Sequence, residues 1–264
     1  MNFGLIIVGD EILSGKREDK HLPKVIALLA ERGLTLSWAR YVGDDPQRIT
    51  ADLKAAFASG DVVFSCGGIG ATPDDHTRHC AAAALGVPLA LHPQARDLIL
   101  ERMQDVAREK DLPFEPERHD NLHRLNMGTF PTGAQIIPNP YNKIAGFSVG
   151  SVFFVPGFPV MAWPMIEWVL DQRFAHLHQS QVRSEKSVIV LGAMEAALTP
   201  LIESIEAAHQ GIKVFSLPSV DHPQWGAHIE LGVKGAGPDL DAAYAALLAG
   251  LARQGAKLGP ELVR

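Results

Sequence analysis

Short unbroken apolar runs alternate along the first two-thirds of the chain with longer stretches whose apolar residues recur every three or four positions. Runs near residues 3–9, 35–43 and 61–66 read as strands buried on both faces. Between them, Leu22, Val25, Ile26, Leu28 and Leu29 mark a helix near 21–32, and similar spacing marks helices near 46–59 and 74–85. This βαβαβα order predicts a mainly parallel sheet with helices on both faces. Residues 93–125 are polar and helical in composition and read as an excursion from the sheet. Short strands near 134–137, 144–149 and 152–155 follow, and a helix near 160–176 (Val160, Trp163, Ile166, Val169, Leu170) closes the domain.

The polar, histidine-containing stretch Gln172–Lys186 has no strong periodicity and reads as a boundary. Beyond it, strand Ser187–Leu191, helix Leu198–Ala208, strands Lys213–Leu217 and His228–Val233 and helix Asp239–Arg253 give a βαββα unit. That pattern is a small α+β domain, ferredoxin-like or KH-like in outline, without the Gly-x-x-Gly basic loop that RNA binding would need. The expected domains are residues 1–178 and 184–264, the second a packing, oligomerisation or substrate-covering module.

Candidate chemistry gathers where apolar runs end. The strand closing at Cys66 runs into Gly67-Gly68-Ile69-Gly70-Ala71-Thr72-Pro73-Asp74-Asp75-His76-Thr77. Thr72-Pro73-Asp74-Asp75 has the form of a helix start, with a hydroxyl cap, proline at the first position and an acid at the third. Backbone N–H groups of such a strand–loop–helix can hold an anion. Two carboxylates beside a phosphate call for a hard cation, and Mg²⁺ commonly takes one or two protein carboxylates plus water and phosphate oxygens. A capping role for Asp75 and a dipole role for Asp74 account for the segment equally well. Asp10-Glu11 follow the first strand, and Pro156-Gly157-Phe158-Pro159 follow the strand 152–155. Ligands of open α/β sheets lie at the carboxyl ends of strands, so parallel strands would bring these loops to one edge. Neither a Rossmann fingerprint nor a P-loop fits. Pro73 stands where G-x-G-x-x-G needs its last glycine, and Gly9–Arg17 has one spacer too many and arginine in place of Ser/Thr.

Taken together, Gly9-Asp10-Glu11-Ile12-Leu13-Ser14-Gly15, the Gly67–Thr77 segment, Pro138-Asn139-Pro140 and Pro156-Gly157-Phe158-Pro159 stand in the order found in the competence/damage-inducible protein A (CinA) family, which the chain resembles over about residues 1–178. The resemblance implies a three-layer α/β/α molybdopterin-binding fold, the MoaB/Mog-like domain, binding nucleotide-like or pterin-like phosphates. It implies a divalent-metal pyrophosphatase acting on an ADP-ribose- or FAD-like substrate. A molybdopterin-binding or adenylyl-transferring protein, or a non-catalytic scaffold, are the alternatives. On this reading Asp10 and Asp75 are catalytic, and Asp10, Glu11, Asp74 and Asp75 hold the metal, Mg²⁺ first and Mn²⁺ or Co²⁺ next. Gly67, Gly68, Gly70, Ala71, Thr72, Thr77, Asn139, Pro156 and Gly157 contact the ligand, while Lys143 reads first as a solvated lysine and second as a group to neutralise developing charge. A homo-oligomer, dimer before trimer, is also implied. The chain departs from the family pattern at Ala71 and at Asp19-Lys20-His21, and the family's carboxy-terminal deamidase domain has no counterpart in these residues, so nicotinamide-nucleotide deamidation is not expected.

A net charge of −6 excludes an extended nucleic-acid surface. No apolar run reaches membrane-spanning length and no signal peptide precedes the first strand, so a cytoplasmic protein is expected. Cys66 and Cys80 read as inert buried thiols, and His119 with His123, four apart, as a polar helical face without a third ligand. His76 lies close enough to the glycine turn to touch a ligand, though with His79 it reads equally well as helix surface.

Overall fold

In the computed structural model, residues 1–178, 184–235 and 237–263 are described, and the chain divides into two units, Met1–His178 and Gln179–Arg264. The expected boundary falls partly on residues 179–183, which lie outside the described residues.

The first unit runs β1 (Phe3–Val8), α1 (Asp10–Leu13), α2 (His21–Ala30), β2 (Leu36–Val42), α3 (Pro46–Ser59), β3 (Val62–Cys66), α4 (Thr77–Leu85), β4 (Leu89–Leu91), α5 (Pro93–Glu109), α6 (His119–Leu125), β5 (Thr129–Pro131), β6 (Gln135–Ile137), β7 (Gly146–Val149), β8 (Val152–Val155) and α7 (Pro159–Arg173). The main sheet has the order β2-β1-β3-β8-β7-β6. Strands β2, β1, β3 and β8 pair in parallel, whereas β7 and β6 are antiparallel additions at one edge. Every residue of β1 and β3 is buried, because each face of these strands is covered by helices. Leu5, Ile7 and Phe64 pack with Val25, Leu28 and Leu29 of α2 and with Ile166 and Val169 of α7. Ile6, Val8 and Val63 point the other way, onto Ile49 and Leu53 of α3 and Cys80 and Ala81 of α4. The result is the expected three-layer α/β/α unit. Each fully buried aliphatic side chain contributes about 1.5–3 kcal/mol.

Local chemistry sets the helix ends. The Asp45 carboxylate accepts from the N–H groups of Gln47 and Arg48, Pro46 opens α3, and Gly60 ends it at φ 72°. The helix after the glycine turn differs from expectation: it begins at Thr77, with His76 as the flanking residue, so Thr72 is not its cap. The Asp75 carboxylate reaches back to the Thr72 N–H at 2.8 Å and the Thr72 hydroxyl at 2.6 Å, closing residues 72–75 into a turn of their own. The polar excursion holds α5 and α6, and the small sheet β4–β5, absent from the expectation, flanks it.

The second unit runs β9 (Ser184–Leu191), α8 (Glu195–Ala208), β10 (Lys213–His222), β11 (Gly226–Gly235), α9 (Asp239–Arg253) and β12 (Lys257–Val263). Its antiparallel order β10-β11-β9-β12 is the ferredoxin-like arrangement, with one strand more than the βαββα pattern. Strand β12 is hidden in the sequence because it carries Gly259 and Pro260 at its middle. Its register shifts between Leu258 and Glu261, and a bulge on an edge strand is where proline is tolerated. Val188, Val190, Leu231 and Val233 form its core with Leu198, Ile205, Leu247 and Leu251 of the helices.

Candidate functional site

The glycine turn leaves β3 and is fixed from beneath by the first two residues of α4. The Thr77 hydroxyl donates to the Gly67 carbonyl at 3.1 Å, and the Thr77 N–H donates to the Gly68 carbonyl at 3.0 Å. Arg78, 4% exposed, donates through its two terminal nitrogens to the carbonyls of Ile69 and Gly70, the second at 2.7 Å. Four consecutive carbonyls are therefore turned toward α4. In a planar trans peptide the next N–H points opposite its carbonyl, so the N–H groups of Gly68, Ile69, Gly70 and Ala71 face away from the helix. Within the described residues none of these four donors has a hydrogen-bond partner. Glycine is needed for this path. Gly67 and Gly68 hold φ of 106° and 68°, and a Cβ on Gly68 would stand 2.1 Å from the Thr77 hydroxyl oxygen.

The N–H groups open onto a cavity of about 540 Å³ at the carboxyl edge of the parallel strands, within the range of small-molecule sites. Gly67, Gly68, Gly70, Ala71, Thr72, Asn139, Pro156 and Gly157, the residues the sequence reading assigns to ligand contact, all line it. Thr77 does not: it is fully buried, and its hydroxyl serves the loop rather than a ligand. Asn139 is 4% exposed, and its amide is engaged by Asn142, Ile144 and Tyr141, so it shapes the 139–144 loop. Lys143 lies away from the cavity, its ammonium 2.6 Å from both Glu101 and Asp105 of α5. Those carboxylates tie the loop to α5, and Lys143 has no free charge for the site.

The acids divide into two sets. Glu11, Asp74 and Asp75 line the cavity together with Asp44, which the sequence reading passed over. Asp10 is exposed and is not part of the cavity lining: its carboxylate accepts from the Asp44 N–H at 3.1 Å, while the Asp44 carboxylate accepts from the Asp10 N–H at 2.9 Å. This reciprocal clamp ties the loop after β1 to the loop after β2. The Asp44 carboxyl is pushed above the ordinary carboxylate range, chiefly by burial, with the charges of Asp10, Glu11 and Asp74 adding to it. Among the described residues no three His, Cys, Asp or Glu side chains stand together as a ready metal cage, His119 and His123 included. Glu11, Asp44, Asp74 and Asp75 leave the cavity lining with carboxylate oxygens, the donor type that hard cations take.

Three groups here have weak sequence signals. Arg78 looks like helix surface until its burial is seen, and Asp44 like a loop acid. Arg17 lines the cavity with its guanidinium 5.9 Å from the centre of the Phe158 ring. Cys66 and Cys80 are buried, and burial pushes both thiols up, which disfavours the thiolate form. His76 is absent from the cavity wall.

Residues 4–176 match the family described as a probable molybdopterin binding domain. The chain belongs to that family, and its first unit is of the CinA type. It is 30% identical over 220 residues to a CinA-like protein of Anaeromyxobacter dehalogenans, covering 81% of this chain and 51% of that protein. A CinA-like protein of Geobacter metallireducens is 27% identical over the whole of this chain and 61% of its own length. The chain thus spans about half to three-fifths of these curated relatives. The crystal structure of CinA from Thermoplasma acidophilum, a protein of unknown function, superposes with a TM-score of 0.54 at 26% identity, over 65% of this chain and 98% of that one. No helix among the described residues is long and apolar enough to cross a membrane.

Proposed function

We propose that the first unit binds a nucleotide-type diphosphate and hydrolyses its phosphoanhydride bond with a divalent cation, Mg²⁺ first. The observation that carries this reading is the row of four unpartnered N–H groups of Gly68, Ile69, Gly70 and Ala71, presented to a nucleotide-sized cavity. Such a row suits the non-bridging oxygens of a phosphate, with little reorganisation because Thr77 and Arg78 already hold the loop. Glu11, Asp44, Asp74 and Asp75 would repel a bare diphosphate, and they are the groups that would hold the cation beside it. A divalent cation bound there supplies polarisation of the phosphoryl oxygens and a more acidic attacking water. Asp75 keeps the 72–75 turn closed against the cradle, Asp10 positions Asp44 through the loop clamp, and Thr72 flanks the phosphate. A cytoplasmic setting and a homodimer belong to the same proposal.

The test is a panel of ADP-ribose, FAD, NADH and an adenylated pterin, each with Mg²⁺, Mn²⁺ or Co²⁺. Products are separated by chromatography and binding is measured by calorimetry. Cleavage of ADP-ribose or FAD to a nucleoside monophosphate is the expected result. Asp75→Asn keeps an oxygen for the Thr72 N–H and hydroxyl, so its melting temperature should stay close to wild type. Turnover should nevertheless fall at least tenfold, about 1.4 kcal/mol of transition-state stabilisation. Tight binding of the adenylated pterin with no cleavage of any substrate would favour a molybdopterin-type carrier or transferase instead.

A further inference from the structure

We infer that Phe158, with Arg17 beneath it, is a stacking platform for the flat heteroaromatic ring of the ligand, and that ring recognition at this site works by stacking rather than by base-edge hydrogen bonds. This rests on the diphosphate reading above and adds the part of the ligand that the phosphate cradle does not reach. At about 30 Å³ per water, the cavity holds far more than a pyrophosphate fills, so room is left for another moiety. Its lining includes the apolar Met127, Ile144, Ala145 and Met161, and Phe158 lines it while remaining 54% exposed. A large aromatic side chain left half in solvent on a cavity wall is unusual within a unit whose other phenylalanines are mostly buried. It stands between Gly157 and the Pro159 that opens α7, with an extended backbone at φ −91° and ψ 121°.

Arg17 approaches the ring at 5.9 Å from its centre, within cation–π range. A ring has two faces, and a guanidinium against one leaves the second for a planar ligand ring on this proposal, in keeping with the 54% exposure of Phe158. The nearby side-chain amides are already engaged. Asn139 bonds Asn142 and Ile144, while Asn142 donates to the Met161 sulfur and accepts from the Ile144 N–H. With those amides closed off from a base edge, the platform accepts adenine, flavin or pterin rings with little preference among them.

The experiment is calorimetry of the full chain in Mg²⁺ with inorganic pyrophosphate, ADP-ribose and its guanine counterpart. It compares wild type, Phe158→Ala, Phe158→Trp and Arg17→Ala. The Phe158 side chain makes no capping hydrogen bond, so α7 should keep its start in each variant, which circular dichroism checks. Phe158→Ala should weaken ADP-ribose at least tenfold and pyrophosphate by less than twofold. Phe158→Trp should restore the ring-bearing ligand, and Arg17→Ala should weaken it more than it weakens pyrophosphate. The guanine and adenine ligands should bind wild type within about threefold of each other, because stacking on an aromatic face is base-tolerant. Equal losses for both ligand kinds in Phe158→Ala, or none, would overturn the inference while leaving the diphosphate reading intact. So would a drop to half the wild-type mass, which would make Phe158 an interface residue. Failure of pyrophosphate and ADP-ribose alike to bind wild type would remove the diphosphate reading itself, and the platform with it.

Discussion

Replacing Arg78 by Met tests the proposed phosphate cradle through the residue that holds it open. The guanidinium is 4% exposed and donates to the carbonyls of Ile69 and Gly70. Methionine fills similar space but leaves both acceptors without a donor, and an orphaned buried carbonyl costs about 1–3 kcal/mol. Part of that loss is returned, because burial opposes the Arg78 charge, pulling its pKa down although the Asp75 carboxylate favours it. A net destabilisation of about 2–4 kcal/mol follows. In a unit of this size 1 kcal/mol moves the melting temperature by about 2–4 °C, so calorimetry should show a fall of about 4–16 °C. The loop effect is separate. Once their carbonyls are free to turn outward, the N–H groups of Gly70 and Ala71 no longer converge. Pyrophosphate affinity, measured below the new melting temperature, should then drop at least tenfold. Arg78→Lys keeps the charge but has one nitrogen for two carbonyls, and should fall between. Wild-type melting temperature together with wild-type affinity in Arg78→Met would refute the claim that this side chain orders the cradle.

Gly68→Ala should destabilise the unit by about 1–3 kcal/mol and abolish pyrophosphate binding, since a Cβ at φ 68° would meet the Thr77 hydroxyl oxygen at 2.1 Å; thermal melting and calorimetry read both. Asp44→Asn bears on pH. A carboxyl with a raised folded pKa binds its proton more tightly when folded, so the stability it contributes is full at low pH and falls as pH rises through the ordinary to the raised value. The Asn variant should lose that decline and melt no lower than wild type at neutral pH, while needing more Mg²⁺ for half-maximal pyrophosphate binding. Light scattering at micromolar concentration should give a dimer mass, and a monomer would refute the assembly proposal.

The alternation of buried strands and amphipathic helices in the first unit is legible because both physical periods are strong there. Ile6 and Val8 face one helical layer, Leu5 and Ile7 the other, and a strand buried on both sides reads as an unbroken apolar run. Strand β12 was not legible, since Gly259 and Pro260 are loop signals that only an edge position with a bulge overrides. The helix start at Thr72 failed for a related reason. Thr72, Pro73 and Asp75 have capping chemistry, but the carboxylate closes a local turn, and the helix waits for Thr77, whose N–H and hydroxyl serve the glycine carbonyls.

The site shows the same division between local and distant causes. Glycines, acids and prolines that must be near the ligand are visible as motifs, because backbone approach and negative charge constrain residue type at the point of contact. The residues that aim them are not visible, because their role depends on burial and on partners far along the chain. Arg78 is indistinguishable from surface until its two carbonyl partners are known. Asp10 reads only as an acid at a strand end until Asp44, 34 residues away, is found at its N–H and carboxylate. Phe158 gives no signal at all in a Pro-Gly-Phe-Pro turn, since its exposure is a property of the folded rim. A sequence reading of this site therefore recovers most of the residues that line the cavity and misses what orients the N–H groups, the acids and the ring, which is where differences in ligand choice between otherwise similar glycine loops would arise.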